Sequence, residues 1–360
     1  MNKIKYIIIA TILVLIAVST MHTKETKEAR LGAVFHSTGF ASFVGEESRN
    51  GLLLALKDTG FPAERVVIED GKSDVTGSVN AVNKLVHVDK VQAIIGPEWT
   101  EFGAAVAPIA STNKIPIISP WVVADSDFVK PPYFWSMTPS DLGEHKALAQ
   151  YMKKKSVKKV AVIKTVNTWS NINAKQITTE LANLGIEYIE ISTNPDQTDF
   201  RTEILKVKEY KPDYAYSAIS DDMGHAALCN QVLAQIGDIM IATHSARAKA
   251  KSTLDNLGRF KSKVVFAEMH SGNKQDEFNE KYKAIYGKYP SGPSAAATYD
   301  AAVILIKGLA SNLSTVESIS QANYEGYSGY IRFDSKGKLP LRNASVFTFD
   351  ESGKQVPLFN

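Results

Sequence analysis

Residues 91–120 decide the fold, and they read VQAIIGPEWTEFGAAVAPIASTNKIPIISP. The first apolar run ends at Gly96-Pro97, where proline has no N–H group to continue a strand ladder. A helical pattern follows from Thr100, a residue type that commonly caps helices, and a second apolar run ends at Pro120. The stretch therefore predicts a strand, a turn, a helix and a second strand.

Two loops follow the predicted strands, at residues 96–100 and 119–123. The carboxyl ends of neighbouring parallel strands lie at one edge of a sheet, which is where open α/β sheets bind their ligands. The free backbone N–H groups at the start of the predicted helix favour negative charge in the same place. We therefore expect a ligand site at this edge, with an anionic or acceptor-rich group beside Thr100.

The rest of the chain continues the alternation of strands and helices. It runs through residue 120 and again over residues 142–242, with a break at residues 131–140. After Ala267 two helical patterns return to the first unit, and from Tyr327 onward the pattern is typical of antiparallel hairpins. The predicted fold class is α/β, with two parallel sheets that are covered by helices on both faces.

The composition suits a soluble protein of two domains. The 360 residues are 44% apolar and 22% charged, and the net charge is +3. No dense basic block argues for nucleic acid, because the densest run of lysines, at residues 153–159, is typical of a solvated helix end. The single cysteine, Cys229, cannot form an internal disulfide and lies in a helical pattern that predicts buried packing.

The first residues have the pattern of an export signal. Lys3 and Lys5 precede an apolar run over residues 6–18, which is short for a membrane span of about 20 residues. Ala17-Val18-Ser19 matches a small-x-small cleavage signal, so we predict a signal peptide over residues 1–19 and a mature chain that begins near Thr20. The alternative is an uncleaved membrane anchor. Both place the protein in the periplasm or another extracytoplasmic compartment.

Short motifs follow one another along the chain in a recognisable order. They are Thr38-Gly39, Gly45, Asn50-Gly51, Ile95-Gly96-Pro97, Ile117-Ile118-Ser119-Pro120, Lys159-Val160-Ala161-Val162, Pro212-Asp213, Tyr299-Asp300-Ala301-Ala302 and Gly329-x-Ile331-x-Phe333-Asp334-x-x-Gly337. In order and spacing they resemble type I periplasmic binding proteins, specifically the branched-chain amino-acid receptors of ABC transporters. The resemblance covers nearly the whole mature chain, although no single motif is specific.

The resemblance implies two doubly wound lobes joined by a hinge of three segments. The N-terminal lobe is expected over residues 30–138 and 269–326, and the C-terminal lobe over residues 139–268 and 327–360. A small ligand would lie between the lobes and be buried by hinge closure. The resemblance further implies a monomer that performs no covalent chemistry, needs no cofactor and hands its solute to a membrane permease.

The resemblance also assigns ligand contacts in the N-terminal lobe. Thr100 would give its hydroxyl to a ligand carboxylate, although a plain N-cap role is equally compatible. The loop that begins with Ser119 usually continues with small residues and a threonine that hold an amino acid. Here it carries Trp121 and Val123, so the amino-acid clamp is expected to be incomplete. Phe40 and Trp99 are expected to wall the same opening.

In the C-terminal lobe the resemblance points to three strand ends. Trp169 would stack on the ligand, with packing inside the lobe as the alternative. Ser220 with Asp221 could pair an ammonium group, the alternative for Asp221 being a helix N-cap. The loop at residues 243–247 lacks the acid that amino-acid receptors often keep there, and carries His244 and Arg247 instead. We therefore predict a small organic acid, or a modified or aromatic amino-acid-like solute, rather than leucine, isoleucine or valine.

Two other functions compete with solute transport. An enzyme is disfavoured, because the sequence contains no Gly-x-Gly-x-x-Gly after the first strand, no Walker sequence, no Gly-x-Ser-x-Gly elbow and no His-Glu-x-x-His spacing for a metal. A sensory module of the same fold, which reports its ligand to a partner protein, remains open and differs from a transport receptor only in that partner.

Overall fold

The structure is a computed structural model that describes residues 29–311 and 314–359. The predicted signal peptide at residues 1–19 lies outside this range. Within the described part of the chain, no helix is long and apolar enough to cross a membrane.

The N-terminal lobe is built on a sheet of five parallel strands in the order β2-β1-β3-β4-β5. The strands are β1 (Leu31–Phe35), β2 (Val66–Asp70), β3 (Ala93–Ile95), β4 (Ile117–Ser119) and β5 (Phe134–Ser136). Three helices connect the first four strands: α1 (Ser42–Thr59), α2 (Val75–His87) and α3 (Thr100–Asn113). The expected strand, turn, helix and strand over residues 91–120 are therefore present.

The C-terminal lobe has a sheet of seven strands in the order β14-β13-β10-β9-β8-β6-β7. Its strands are β6 (Lys159–Thr165), β7 (Glu187–Thr193), β8 (Tyr214–Ala218), β9 (Met240–His244), β10 (Val264–Met269), β13 (Ala344–Phe349) and β14 (Gln355–Phe359). The first five run parallel to one another, whereas β13 and β14 form the antiparallel hairpin that the sequence predicts. Its helices are α4 (Leu142–Lys154), α5 (Thr168–Asn183), α6 (Arg201–Tyr210), α7 (Asp222–Ile236), α8 (Ser245–Ala248) and α9 (Lys251–Leu257).

After β10 the chain returns to the N-terminal lobe, as expected. It forms α10 (Gln275–Tyr286), α11 (Ser294–Ala310), α12 (Thr315–Ser320) and a two-stranded ribbon of β11 (Tyr324–Gly326) and β12 (Gly329–Ile331). Helix α11 packs tightly along α1. Gly51 permits this approach, because a Cβ atom there would lie 2.1 Å from the carbonyl oxygen of Ala295.

The last crossing between the lobes lies later than the expected boundary at residue 327. Ile331, Phe333 and Leu339 all belong to the hydrophobic core of the N-terminal lobe. The C-terminal lobe resumes only at Ala344, which pairs with Met269 of β10. Residues 327–339 are thus held on the N-terminal lobe by apolar packing, which the alternating sequence pattern alone does not reveal.

Candidate functional site

The loops that follow β1, β3 and β4 meet at the carboxyl edge of the N-terminal sheet. Gly96 leaves β3 with a φ of +86°, and a Cβ atom there would lie 2.2 Å from the carbonyl oxygen of Val34. Trp99 occupies the N-cap position of α3 with a φ of 71°, a backbone conformation that bulky residues rarely adopt. Thr100 is the first residue of the helix and not its cap, so that expectation was wrong.

Three hydrogen bonds hold the two loops of residues 91–120 side by side. The N–H of Val123 donates to the Thr100 hydroxyl (3.1 Å), and the N–H of Trp99 donates to the carbonyl of Trp121 (2.8 Å). The Ser119 hydroxyl donates to the carbonyl of Pro97 (2.6 Å) and is fully buried. Ser119 therefore joins the loops, whereas the Thr100 hydroxyl accepts one bond and keeps its own proton to donate.

Three aromatic rings line this edge of the lobe. The rings of Trp99 and Trp121 lie 5.1 Å apart between centroids, and Phe40 meets Trp99 edge-on at 5.5 Å. Phe40 is 63% exposed, so its ring is open to solvent at this edge. We call Phe40, Trp99 and Trp121 the aromatic wall, and it stands beside the N-terminus of α3.

A buried acid lies behind the aromatic wall. Glu98 is fully buried, and neither carboxyl oxygen has a hydrogen-bond partner within the described ranges. The Ser73 N–H donates to His36 Nδ1 (3.1 Å), so Nε2 carries the ring proton, and it lies 3.7 Å from the Glu98 carboxyl. Burial raises the pKa of Glu98 to about 7, and the nearby Ser48 hydroxyl offsets this only in part.

The facing edge of the C-terminal lobe carries the other predicted site residues. Asn167 caps α5 through the Ser170 N–H (2.9 Å) and donates to the Ser220 hydroxyl (2.6 Å), which links the ends of β6 and β8. The carboxylate of Asp221 accepts from the Gly224 N–H (2.5 Å) and caps α7. The N-cap alternative for Asp221 is thus present, and Trp169 lies half-buried at the start of α5.

His244 lies between two acids that the sequence analysis missed. Its Nε2 atom is 3.4 Å from Asp141 and 3.5 Å from Glu144, both buried residues at the start of α4. Burial alone would lower the pKa of His244, but Glu144 and Asp141 together raise it to about 9. The Ala246 N–H points at Nδ1 (3.1 Å) and favours the neutral ring, yet two charges this close outweigh one neutral hydrogen bond.

Both cations of the loop at residues 243–247 are therefore paired within the C-terminal lobe. With its pKa raised to about 9, His244 offsets one of the two carboxylate charges that face it, while Glu144 also accepts from the Ser245 hydroxyl (2.8 Å). Arg247 donates to the Ser220 carbonyl (2.7 Å) and pairs with Asp222 (2.5 Å). The Trp169 ring rests against both cations, with its centroid 5.6 Å from that of His244 and 5.9 Å from the guanidinium carbon.

The two edges face each other across the lobes. Helix α3 contacts α5, so the N-termini that carry Thr100 and Trp169 belong to neighbouring helices. Asp125, on the loop of Trp121, accepts a hydrogen bond from Gln176 of α5 (2.7 Å). Among the described residues, no group of three or more histidine, cysteine or acidic side chains could hold a metal ion. Cys229 is fully buried in α7, as expected.

The comparison with solved structures shows the same fold in other proteins. A leucine binding protein from Thermotoga maritima is 23% identical and has a TM-score of 0.76, over 92% of this chain and 97% of that one. A branched-chain amino-acid transporter binding protein from Streptococcus pneumoniae, in complex with isoleucine, is 20% identical with a TM-score of 0.72, over 92% and 99%. A solute binding protein from Rhodopseudomonas palustris, in complex with benzoate, is 17% identical with a TM-score of 0.73, over 92% and 95%.

No curated protein sequence matches the chain. The protein family described as periplasmic binding protein matches residues 28–354, which is most of the chain. The match includes all three crossings and nearly all of both lobes, and it ends just before β14. The chain therefore belongs to the periplasmic binding protein family.

Proposed function

We propose that this protein captures an aromatic carboxylate between its lobes and delivers it to an ABC permease outside the cytoplasm. The observation that carries the proposal is the aromatic wall beside the N-terminus of α3. A flat apolar body packs against such rings, and an attached carboxylate then lies at the helix N-terminus. Benzoate has both parts in one rigid molecule.

The carboxylate would find donors already in place. The first backbone N–H groups of α3 have no partner inside the helix, and they carry a partial positive charge. The Thr100 hydroxyl is held by Val123 so that its proton remains to be donated. Because Glu98 has a pKa of about 7, it carries only part of a negative charge there at neutral pH, which limits its repulsion of an anionic ligand.

The C-terminal lobe supports a ligand without an ammonium group. Asp141 and Glu144 are acids beside the cleft edge, but both are buried and already paired with His244. The ammonium group of an amino acid would have to compete with the His244 imidazolium for these two carboxylates. Trp169 would instead offer its ring to the second face of an aromatic ligand. The solved relative in complex with benzoate supports the conclusion that this fold accommodates such a solute.

The remaining parts of the proposal follow from the family. The protein would work as a monomer and pass its solute to a permease. Its place outside the cytoplasm fits the export pattern of residues 1–19. The chemistry ends with binding, so no residue has a catalytic role and no cofactor is required. Nothing among the described contacts favours a signalling partner over a permease.

A thermal-shift screen tests the proposed ligand class. Benzoate and its ring-hydroxylated derivatives should raise the melting temperature, because a ligand that binds only the folded state stabilises it by mass action. Leucine, isoleucine and phenylalanine should not do so at the same concentration. A shift with the three amino acids and none with the benzoates would overturn the proposal.

Two variants and a control locate the site. Trp121→Ala and Trp169→Ala should each abolish the benzoate shift, because each removes a ring from one lobe's edge. Tyr188→Ala removes an exposed aromatic ring from β7 and should leave the shift unchanged. If Trp169→Ala also leaves the shift unchanged, Trp169 serves only packing and the proposed contact in the C-terminal lobe is wrong.

A further inference from the structure

We propose that Asp125 and Gln176 form a latch that holds the lobes closed and thereby sets the affinity for the ligand without touching it. Asp125 lies on the loop that follows β4 in the N-terminal lobe, and Gln176 lies on α5 of the C-terminal lobe. The Gln176 Nε2 donates to the Asp125 carboxylate at 2.7 Å. This is a direct side-chain bond from one lobe to the other.

Asp125 is anchored independently of that bond. Its carboxylate accepts from the Ser140 hydroxyl on the first crossing and forms an ion pair with Lys338, just before the last crossing. The ion pair with Lys338 does not involve α5, so it does not depend on the bond to Gln176. Of the three partners of Asp125, which are Ser140, Lys338 and Gln176, only Gln176 belongs to a helix of the C-terminal lobe.

Gln176 is held in a fitting orientation. Its neighbours Ala174 and Ile177 are buried in the core of the C-terminal lobe, which fixes the helix face on which Gln176 lies. Its Oε1 atom is buried and has no hydrogen-bond partner within the described ranges, whereas its amide N–H reaches the other lobe. The bond to Asp125 is only partly buried, so water takes its place when the lobes separate, and the bond favours the closed state by the net difference between the two.

The latch and the ligand site share their two elements. Trp121 and Asp125 are on one loop, and Trp169 and Gln176 are seven residues apart on α5, two helical turns along one face. A ligand that bridges the aromatic wall and Trp169 therefore needs the same approach of loop and helix that the latch favours. The apparent dissociation constant equals the intrinsic one divided by the closed fraction, so a weaker latch means weaker binding.

Pulsed electron paramagnetic resonance on the unliganded full chain tests the latch. Spin labels at Phe43→Cys and Met223→Cys report the distance between the two rims, because both side chains are exposed at the cleft edges. Gln176→Leu should lengthen this distance or add a longer population. Lys175→Leu, at the solvent-facing neighbour on α5, should leave it unchanged. An unchanged distance in Gln176→Leu would overturn the proposal.

Reciprocal substitution separates the bond from helix packing. Gln176→Glu places two carboxylates together and should open the lobes more than Gln176→Leu does. The double variant Asp125→Asn with Gln176→Glu exchanges donor and acceptor and should restore the short distance. If Gln176→Leu opens the lobes but the double variant does not restore them, α5 packing and not the bond is responsible, and the latch is refuted.

The affinity measurement rests on the proposed function, whereas the distance measurement does not. With benzoate as the probe, Gln176→Leu should weaken binding about tenfold, the usual effect of one hydrogen bond to a charged group. Normal affinity in an opened variant would contradict the link between latch and affinity. Failure of the wild type to bind benzoate would refute the proposed function and leave the distance test to decide the latch alone.

Discussion

Replacement of Glu98 by glutamine is expected to stabilise the protein at neutral and alkaline pH but not at acid pH. Glu98 is fully buried, and burial raises its pKa from 4.5 to about 7. Between these two values the unfolded chain loses the proton while the folded chain keeps it, so the free energy of unfolding falls as the pH rises. At about 1.4 kcal/mol per pKa unit, this fall amounts to roughly 3 kcal/mol and is complete just above pH 7.

The amide of glutamine has nearly the size of the protonated acid and stays neutral at every pH. As the pH rises from about 4 to about 8, the free energy of unfolding of Glu98→Gln should therefore increase by roughly 3 kcal/mol relative to that of the wild type. Other titrating groups are common to both proteins and cancel in this difference. Burial lowers the pKa of the His36 ring beside Glu98.

Urea unfolding followed by tryptophan fluorescence at several pH values measures the difference. Glu101→Gln is the matched control. Glu101 is a half-buried acid in the first turn of α3, three residues after Glu98. The control tests whether the loss of any acid at this helix start reproduces the effect of Glu98→Gln. A pH-independent difference for Glu98→Gln as well would refute the reasoning, because Glu98 would then titrate alike in the folded and unfolded chains.

Three further predictions concern other parts of the chain. His244 should titrate near pH 9 in a nuclear magnetic resonance experiment, and the stability from its ion pairs should be complete below pH 6.5 and lost as the pH rises through 9; a midpoint below 6.5 would contradict this. Gly96→Ala should lower the free energy of unfolding by about 2 kcal/mol or more, since its Cβ would lie 2.2 Å from the Val34 carbonyl at a φ of +86°; an unchanged melting temperature would argue against that strain. Mass spectrometry of the exported protein should find an N-terminus near Thr20, whereas an intact Met1 in the membrane fraction would indicate an anchored form.

The elements that depend on local pattern could be predicted from the sequence. The alternation of strands and helices over residues 142–242 and the two helical patterns after Ala267 are present in the structure, because their apolar faces repeat within a few residues. The loops after β3 and β4 were likewise expected to be neighbours, since parallel strands place their carboxyl ends together. Trp121 and Trp99 are in contact as a result.

Features that depend on contacts between distant segments could not be predicted in this way. Asp141 and Glu144 approach His244 across about a hundred residues of sequence, and only the packing of α4 against the carboxyl end of β9 brings them together. A signal existed in the pair of acids three residues apart at a helix start, but it is typical of ordinary helix N-termini. Thr100 was misassigned as the N-cap because nothing in the sequence shows that Trp99 adopts a positive φ.

Isothermal titration calorimetry with benzoate and with leucine tests the central claim most directly. The aromatic wall, the helix N-terminus and the pairing of Asp141 and Glu144 with His244 predict that benzoate binds and that leucine binds on the order of a hundredfold or more weaker. The reason is that an ammonium group without its own carboxylate partner costs several kcal/mol, and each 1.4 kcal/mol or so is tenfold in affinity. Sub-micromolar binding of leucine, with no heat from benzoate, would contradict the account.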